Sequence, residues 1–258
     1  MPSSIAAQLY TLRDFTKAPA DIAATMKKVR AIGYEAVQCS ALGPIEPREL
    51  KAICDGEGLT ICATHISFER MRDETQAVID EHHILGCQFP AIGGMPGEYR
   101  SAEGFHKFAQ DGSEVARKLR AGGLTFGYHN HSFELEKFPP CFGTPMCGLE
   151  ILLTESDPDV FTLEIDTYWI QHGGGNPVSW IEKCAGRIPL VHFKDMGVFD
   201  GQQAMAEVGE GNLEWPTIIA ACRASGTKWY IVEQDTCRRD PFDSLKISLE
   251  NLKAMGLE

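Results

Sequence analysis

Eight short apolar runs, each followed by a stretch with helical spacing, limit the fold of this chain more than any other feature of its sequence. The runs cover residues 5–9, 35–39, 59–64, 88–93, 124–129, 160–166, 188–193 and 229–233. Between them apolar residues recur at helical intervals, most clearly over 101–121, and glycines before the next run suit helix C-caps. A (β/α)8 barrel has eight such units in about 250 residues. The pattern therefore predicts an α/β fold, a TIM barrel that forms a single domain over residues 1–258.

The alternative fold is a doubly wound open sheet, which usually carries a glycine-rich dinucleotide-binding turn after its first strand. This chain has "QLYTLRD" at that point, and no linker or low-complexity stretch divides it. The single-domain barrel is therefore the predicted architecture.

The composition argues against several classes of partner. With 36 acidic against 24 basic residues the formal net charge is −12, and no basic stripe is present, so we expect no nucleic-acid partner. No segment approaches the ~20 apolar residues of a membrane span, and the N-terminus lacks a secretory signal. Nine cysteines without a CxxC pair, among them Cys39 and Cys62 in apolar runs, predict buried thiols in the cytoplasm. Cys141 and Cys147 flank a Pro/Gly-rich loop, and we predict neither a disulfide nor a zinc site there.

Polar side chains end most of the predicted strands, where barrel enzymes carry their functional groups. In chain order these residues are Gln8, Gln38, His65, His129 with His131, Asp166, His192 and Glu233. Since side chains alternate along a strand, His192 shares a face with Leu190, and Glu233 shares one with Ile231. If the apolar members line the barrel, the polar ones point out of its mouth and converge. A mixed set of imidazoles and carboxylates suits Mn²⁺, Co²⁺, Zn²⁺ or Mg²⁺.

The motifs "QLYTLRD", "YHNHSFE", "LEIDTYW", "VHFKDM", "EVGEGNLEW" and "YIVEQD" follow one another along the chain. This series resembles the sugar phosphate isomerase/epimerase-like proteins of the xylose isomerase-type TIM barrel superfamily. The resemblance implies one divalent metal ion, with Mn²⁺ preferred, held by Glu, Asp, His and Glu from the last four strands. Asp166, His192 and Glu233 match three of these ligands. Many relatives have Glu-x-His where this chain has His129-Asn130-His131, so the fourth ligand is either His129 or Glu134, and we favour Glu134.

The same resemblance implies further roles at the site. His131 stands where dehydratase relatives keep a catalytic base, and Lys194 is similar to a lysine that contacts substrate. His129 is also a catalytic candidate. We expect substrate contacts from Gln8 and His65 at the strand ends, and from Tyr168 and Trp169. The last two either stack on a sugar ring or cap the rim of the barrel, and the segment 207–215 either wraps substrate or only makes a turn.

The expected chemistry is metal-assisted proton abstraction beside a carbonyl of a keto-sugar, sugar phosphate or cyclitol. Returning the proton to carbon makes the protein an isomerase or epimerase, which is our prediction. Loss of a β-hydroxyl or glycosidic oxygen would make it a lyase, similar to inosose dehydratases or to enzymes acting on 3-keto-glycosides. A DNA-repair endonuclease would need a basic groove, and a non-catalytic sugar-binding barrel is the remaining alternative. Barrels of this superfamily often form homo-oligomers.

Overall fold

The computed structural model describes residues 4–139 and 145–258, in which eight parallel strands form a closed barrel. Numbering only the barrel strands, these are β1 (Ile5–Gln8), β2 (Ala36–Cys39), β3 (Thr60–His65), β4 (Pro90–Ile92), β5 (Phe126–His129), β6 (Phe161–Asp166), β7 (Leu190–Phe193) and β8 (Trp229–Val232). Each strand lies beside its neighbours in the chain, and β8 closes the barrel against β1. All eight overlap the predicted runs, so the predicted TIM barrel is confirmed.

Helices cover the outside of the barrel. They are α1 (Pro19–Ile32), α2 (Pro47–Gly56), α3 (Phe68–Asp73), α4 (Thr75–Leu85), α5 (Ala102–Ala121), α6 (Gly148–Glu155), α7 (Thr167–His172), α8 (Pro177–Lys183), α9 (Trp215–Ala224) and α10 (Pro241–Ala254). The helix predicted over 101–121 is α5, in which Ser101 caps the first turn by accepting a hydrogen bond from the backbone N–H of Gly104. Gly33 ends α1 with a φ of +115°, a left-handed conformation that favours glycine.

The interior of the barrel is built in two layers, because side chains two apart on a strand point the same way. The inner faces carry a small apolar cluster that includes Ala6, Leu190 and Ile231. The next inward position on the same strands is polar, with Gln8 two residues after Ala6 and His192 two residues after Leu190, and both are fully buried. The apolar layer therefore supports a polar layer at the carboxyl ends of the strands.

Two antiparallel hairpins stand outside the barrel sheet, one joining Asp195–Phe199 to Gln202–Ala206 and the other joining Lys137–Phe138 to Met146–Cys147. Within residues 4–139 and 145–258, no helix combines the length and apolar character that crossing a membrane requires. Cys39 and Cys62 are free, buried thiols, as predicted. Cys141 lies outside the described residues, so the predicted lack of a bond to Cys147 stays a prediction.

Candidate metal centre at the mouth of the barrel

A cavity of about 420 Å³ opens at the carboxyl ends of the strands. Its lining residues, most of them polar or aromatic, come from seven of the eight strand–helix units or from their loops. They are Tyr10, Ser40, Ala41, His65, Gly93, His129, His131, Trp169, Glu233 and Asp235. The cavity is large enough for a monosaccharide-sized molecule, and pockets of about 300–1,000 Å³ are usual for small ligands.

Four side chains at the carboxyl ends of the strands form what we call the upper cluster, of which His129 and Glu233 line the cavity. One ligand atom from each lies within 4.8 Å of the others, and the members are His129, Asp166, His192 and Glu233. His192 Nδ1 is 2.9 Å from Glu233 Oε2 and 3.8 Å from Asp166 Oδ2. The sequence predicted that these last three residues converge from neighbouring strands, and their positions agree with it. Their role as metal ligands stays a prediction.

Asp166 is held rigidly at the junction of β6 and α7. Its Oδ1 accepts a hydrogen bond of 2.8 Å from the backbone N–H of Trp169, which caps the helix. Its own backbone N–H donates to Asn130 Oδ1. The other oxygen, Oδ2, is buried, and the charged partner beside it is the ammonium of Lys194, 3.0 Å away. Burial raises the pKa of Asp166 to about 6.

His192 is fixed at both ring nitrogens. Nε2 lies 2.6 Å from Gln38 Oε1, which also accepts a hydrogen bond from Gln8 Nε2. Nδ1 faces Glu233. Burial opposes a charged ring, but the carboxylates of Glu164 and Glu233 outweigh it and raise the pKa of His192 to about 10. A divalent cation would displace the proton on Nδ1, while the N–H on Nε2 still donates to Gln38, the arrangement by which proteins orient ligating histidines.

Lys194 lies among the carboxylates of Asp166, Glu233 and Asp235. Its Nζ is 2.7 Å from Glu233 Oε2, 3.0 Å from Asp166 Oδ2 and 3.2 Å from Asp235 Oδ2. Burial opposes its charge, but these carboxylates raise the pKa of Lys194 above its ordinary value. Burial likewise works against ionisation of Glu233, and the Lys194 ammonium and the His192 ring hold its pKa below its usual range. The ammonium therefore contacts the same oxygens of Asp166 and Glu233 that a metal ion would use.

A second group, which we call the deep cluster, lies one layer further into the barrel. Its ligand atoms also lie within 4.8 Å of one another, and its members are His65, His129, Glu164 and His192. Glu164 is fully buried and accepts a hydrogen bond of 2.7 Å from Gln38 Nε2. Its spacing of two from Asp166 on one strand face was the signal that it points into the same space.

Glu134, the fourth ligand that the sequence favoured, lies outside both clusters. Its Oε1 accepts a hydrogen bond of 2.8 Å from the Tyr128 hydroxyl, and its Oε2 accepts one of 2.9 Å from the backbone N–H of His131. Burial raises the pKa of Glu134 to about 7. Both of its oxygens are thus engaged by its own loop, whereas the alternative fourth ligand, His129, belongs to both clusters.

The remaining candidates divide between the cavity wall and its surroundings. His131 lines the cavity, and burial followed by the charge of Lys194 lowers its pKa to about 4. Its Nδ1 has no hydrogen-bond partner among the described residues. Trp169 also lines the cavity, 5.2 Å from the His131 ring. Tyr168 instead packs with methionines of the 195–206 hairpin, and Gln8 lies in the polar layer behind the wall. Neither is among the residues that line the cavity.

Sequence reasoning missed Asp195, which organises the loop 207–215. Its buried carboxylate accepts hydrogen bonds from the backbone N–H groups of Gly209, Gly211 and Leu213, and from Trp215 Nε1. Asp195 therefore holds the loop 207–215 in its conformation, a structural role that does not depend on any contact between the loop and substrate. The carboxylate directly follows Lys194 in "HFKD", and alternation along the chain directs the two side chains differently.

Comparison with known proteins fits this arrangement. The model of the family described as xylose isomerase-like TIM barrel matches residues 26–255. The chain belongs to this family. Among curated relatives of this xylose isomerase-like barrel, the inosose dehydratase of Lacticaseibacillus casei is 23% identical over 255 residues, covering 82% of each chain.

Solved structures show the same fold. The crystal structure of a sugar phosphate isomerase/epimerase from Parabacteroides distasonis ATCC 8503 has a TM-score of 0.84 at 21% identity, over 98% of this chain and 94% of that one. A structure of L-ribulose 3-epimerase has a TM-score of 0.73 at 15% identity, over 99% of this chain and 94% of that one. At these identities the likeness is one of fold.

Proposed function

We propose that this xylose isomerase-like barrel is a divalent-metal-dependent isomerase or epimerase of a small keto-sugar. The observation that carries the proposal is the upper cluster, in which imidazole and carboxylate atoms from neighbouring strands meet and two members, His129 and Glu233, line a sugar-sized cavity. The family and the structural neighbours named isomerase or epimerase agree with it. The substrate would be a ketose or a cyclic polyol ketone, with or without phosphate.

The donor set suits a metal ion. Asp166, His192 and Glu233 would hold it, with His129 in the fourth position, and the ion would replace the Lys194 ammonium at Asp166 Oδ2. Mn²⁺ is our preferred ion, because mixed carboxylate and imidazole sites accept it, as they accept Mg²⁺, Co²⁺ and Zn²⁺. Bound there, the ion would supply Lewis-acid stabilisation for negative charge on substrate oxygens.

His131 is the proposed base. Its lowered pKa keeps the ring neutral at pH 7, so that a lone pair is available, and its unpartnered Nδ1 is buried in the cavity wall. It would take the proton from the carbon next to the carbonyl and return it to carbon. Lys194 would hold the carboxylates around it together and offer its ammonium to a substrate hydroxyl. Trp169, beside His131, would cover one face of the sugar and exclude water.

A lyase that eliminates water from a keto-sugar or inosose is the second candidate. It is favoured by one observation, the inosose dehydratases among the relatives that the chain matches over 82% of its length. The first step, proton removal by His131, would be shared. The two functions differ only in whether the carbanionic intermediate regains a proton or loses a β-hydroxyl group.

The test is a screen of ketoses and inososes in D2O with metal-depleted and Mn²⁺-loaded protein. An isomerase or epimerase incorporates deuterium at the carbon that is deprotonated and keeps the mass of the sugar skeleton. A lyase releases water and produces an absorbing enone. Turnover that is unchanged after metal removal, with no metal retained, would contradict the proposal.

A variant pair separates the base from the metal ligands. His131→Ala should lower turnover by about 10²–10⁴-fold while metal content stays unchanged. His106→Ala is the matched control, because His106 is an exposed histidine on α5, paired with Glu155, and should leave turnover unchanged. Loss of the metal from His131→Ala would instead make His131 a ligand.

A further inference from the structure

The deep cluster places its four side chains around one carboxylate. They come from β3, β5, β6 and β7, and Glu164 stands at the centre. Its oxygens lie 2.7 Å from His65 Nε2, 3.3 Å from His192 Nε2 and 3.8 Å from His129 Nδ1. We propose that the deep cluster is a second metal position, which takes a transition-metal ion between three imidazoles and one carboxylate.

His129 supplies the observation that points to an ion. Its ring is only 3% exposed, yet its Nδ1 has no hydrogen-bond partner among the described residues. That nitrogen faces Glu164 Oε2 at 3.8 Å, which is too long for a hydrogen bond. Leaving a buried polar atom unpaired costs about 1–3 kcal/mol. A cation between the nitrogen and the carboxylate satisfies both groups at once.

The two clusters differ in the charges already present. In the upper cluster the ammonium of Lys194 contacts Asp166 and Glu233. In the part of the chain that the structure describes, Glu164 has ion pairs with histidines and with no lysine or arginine. A metal ion entering the deep cluster therefore competes with protons on imidazoles, which can be released when the ring becomes a ligand, and not with a lysine ammonium.

The distances suit coordination with small movements. Bonds of about 2.0–2.2 Å to nitrogen and oxygen place tetrahedral ligand atoms roughly 3.4 Å apart. The present separations from the Glu164 oxygens, 2.7 to 3.8 Å, lie on both sides of that value. His192 would ligate through Nε2 and keep its Nδ1–H bond to Glu233 Oε2, which would orient the ring.

The donor set selects the ion. Three imidazoles favour Zn²⁺, Co²⁺, Ni²⁺ or Fe²⁺, whereas Mg²⁺ prefers oxygen ligands and several waters. The upper position would use His192 Nδ1, which keeps its proton in the deep position, so the two positions are alternatives for one ion. The deep position depends on the proposed function only because the upper metal position also uses His129 and His192.

Cobalt provides the test on the whole protein. X-ray absorption at the cobalt edge counts the imidazoles around Co²⁺ in the wild type, and equilibrium dialysis measures its Kd in wild type and variants. If Co²⁺ binds at the deep cluster, the spectrum should show three imidazole ligands around it. His65→Gln should weaken Co²⁺ binding by at least roughly 100-fold. Asp166→Asn should weaken Co²⁺ binding much less than His65→Gln does, and the surface control His106→Gln should change the Kd by no more than about twofold.

Each outcome decides the matter. One or two imidazoles in the wild type, unchanged binding in His65→Gln with loss in Asp166→Asn, or no Co²⁺ binding at all would overturn the second position. The imidazole count in the wild type decides even if His65→Gln fails to fold. The deuterium screen with Mn²⁺ judges the proposed function separately. Deuterium incorporation with only two imidazoles refutes the deep position alone, and three imidazoles without turnover of any substrate refute the function alone.

Discussion

Replacing Lys194 with methionine removes a buried positive charge and leaves a side chain of similar length. In the wild type its Nζ lies within 3.2 Å of carboxylate oxygens of Asp166, Glu233 and Asp235. The lysine side chain is fully buried, so water does not replace the lost charge. Lys194→Met should therefore destabilise the metal-free protein and at the same time free oxygens for a metal ion.

The magnitude follows from these contacts. At an effective dielectric constant of ~20, each contact near 3 Å attracts by about 5 kcal/mol, and much of this offsets the desolvation of the ammonium. Removing one partner of a buried ion pair typically costs 3–5 kcal/mol. We expect the lower end, about 3 kcal/mol at pH 7, because Asp166 can bind a proton, its pKa already being raised by burial to about 6. The loss should grow as the pH rises and the carboxylates ionise fully.

Urea unfolding in excess chelator measures this loss, with Lys118→Met as the control at an exposed lysine on α5. Titration with Mn²⁺ tests the second part of the prediction, that the variant binds the metal ion more tightly. Tenfold tighter binding by Lys194→Met would appear as about 1.4 kcal/mol of extra stabilisation when Mn²⁺ is in excess. If the metal-free variant is as stable as the wild type, or if its Mn²⁺ affinity is unchanged or weaker, the hypothesis that the Lys194 ammonium competes with the metal ion is wrong.

Two further predictions concern buried carboxylates away from the metal. Burial raises the folded-state pKa of Glu134 from its ordinary 4.5 to about 7. The stability that depends on the protonated side chain is therefore fully present below pH ~4.5 and is lost as the pH rises through about 7. Glu134→Gln should therefore remove up to about 3 kcal/mol of the stability difference between pH 5 and pH 8, measured by urea unfolding, whereas exposed Glu136→Gln should not. Equal pH slopes in wild type and Glu134→Gln would contradict this. Asp195→Asn should lower the free energy of unfolding by about 3 kcal/mol, because an amide nitrogen would face N–H donors of the loop 207–215. Asp200→Asn, at an exposed turn, is its control, and a loss of less than about 1 kcal/mol would show that the loop does not depend on this carboxylate.

The barrel could be predicted because its signals are local. Each strand appears as a short apolar run, and each turn of helix as a spacing that the sequence shows directly. Alternation along a strand also placed His192 and Glu233 above Leu190 and Ile231, and the structure has them there. Barrel closure then brings β6, β7 and β8 side by side, so their polar ends meet.

Other features of the site depend on contacts that the periods of helices and strands do not predict. Whether Glu134 reaches the metal position depends on its partner, and the Tyr128 hydroxyl and the backbone of its own loop hold it away. The deep position of Glu164 depends on His65, which lies 99 residues earlier in the chain. The Glu134 contacts form within an irregular loop and the Glu164 contact joins two distant strands, so the hydrophobic period of a helix or strand could not reveal either one.

The sequence by itself determined the order of strands and helices and which strand ends carry ionisable groups, because hydrophobic period and residue type are properties of short segments. Only the tertiary structure decided which of those groups touch, which oxygens Lys194 neutralises, and which nitrogen of His129 is left without a partner. The physical reason is that electrostatic and hydrogen-bond energies depend on distances of a few ångströms between side chains. Those distances are set when the barrel closes.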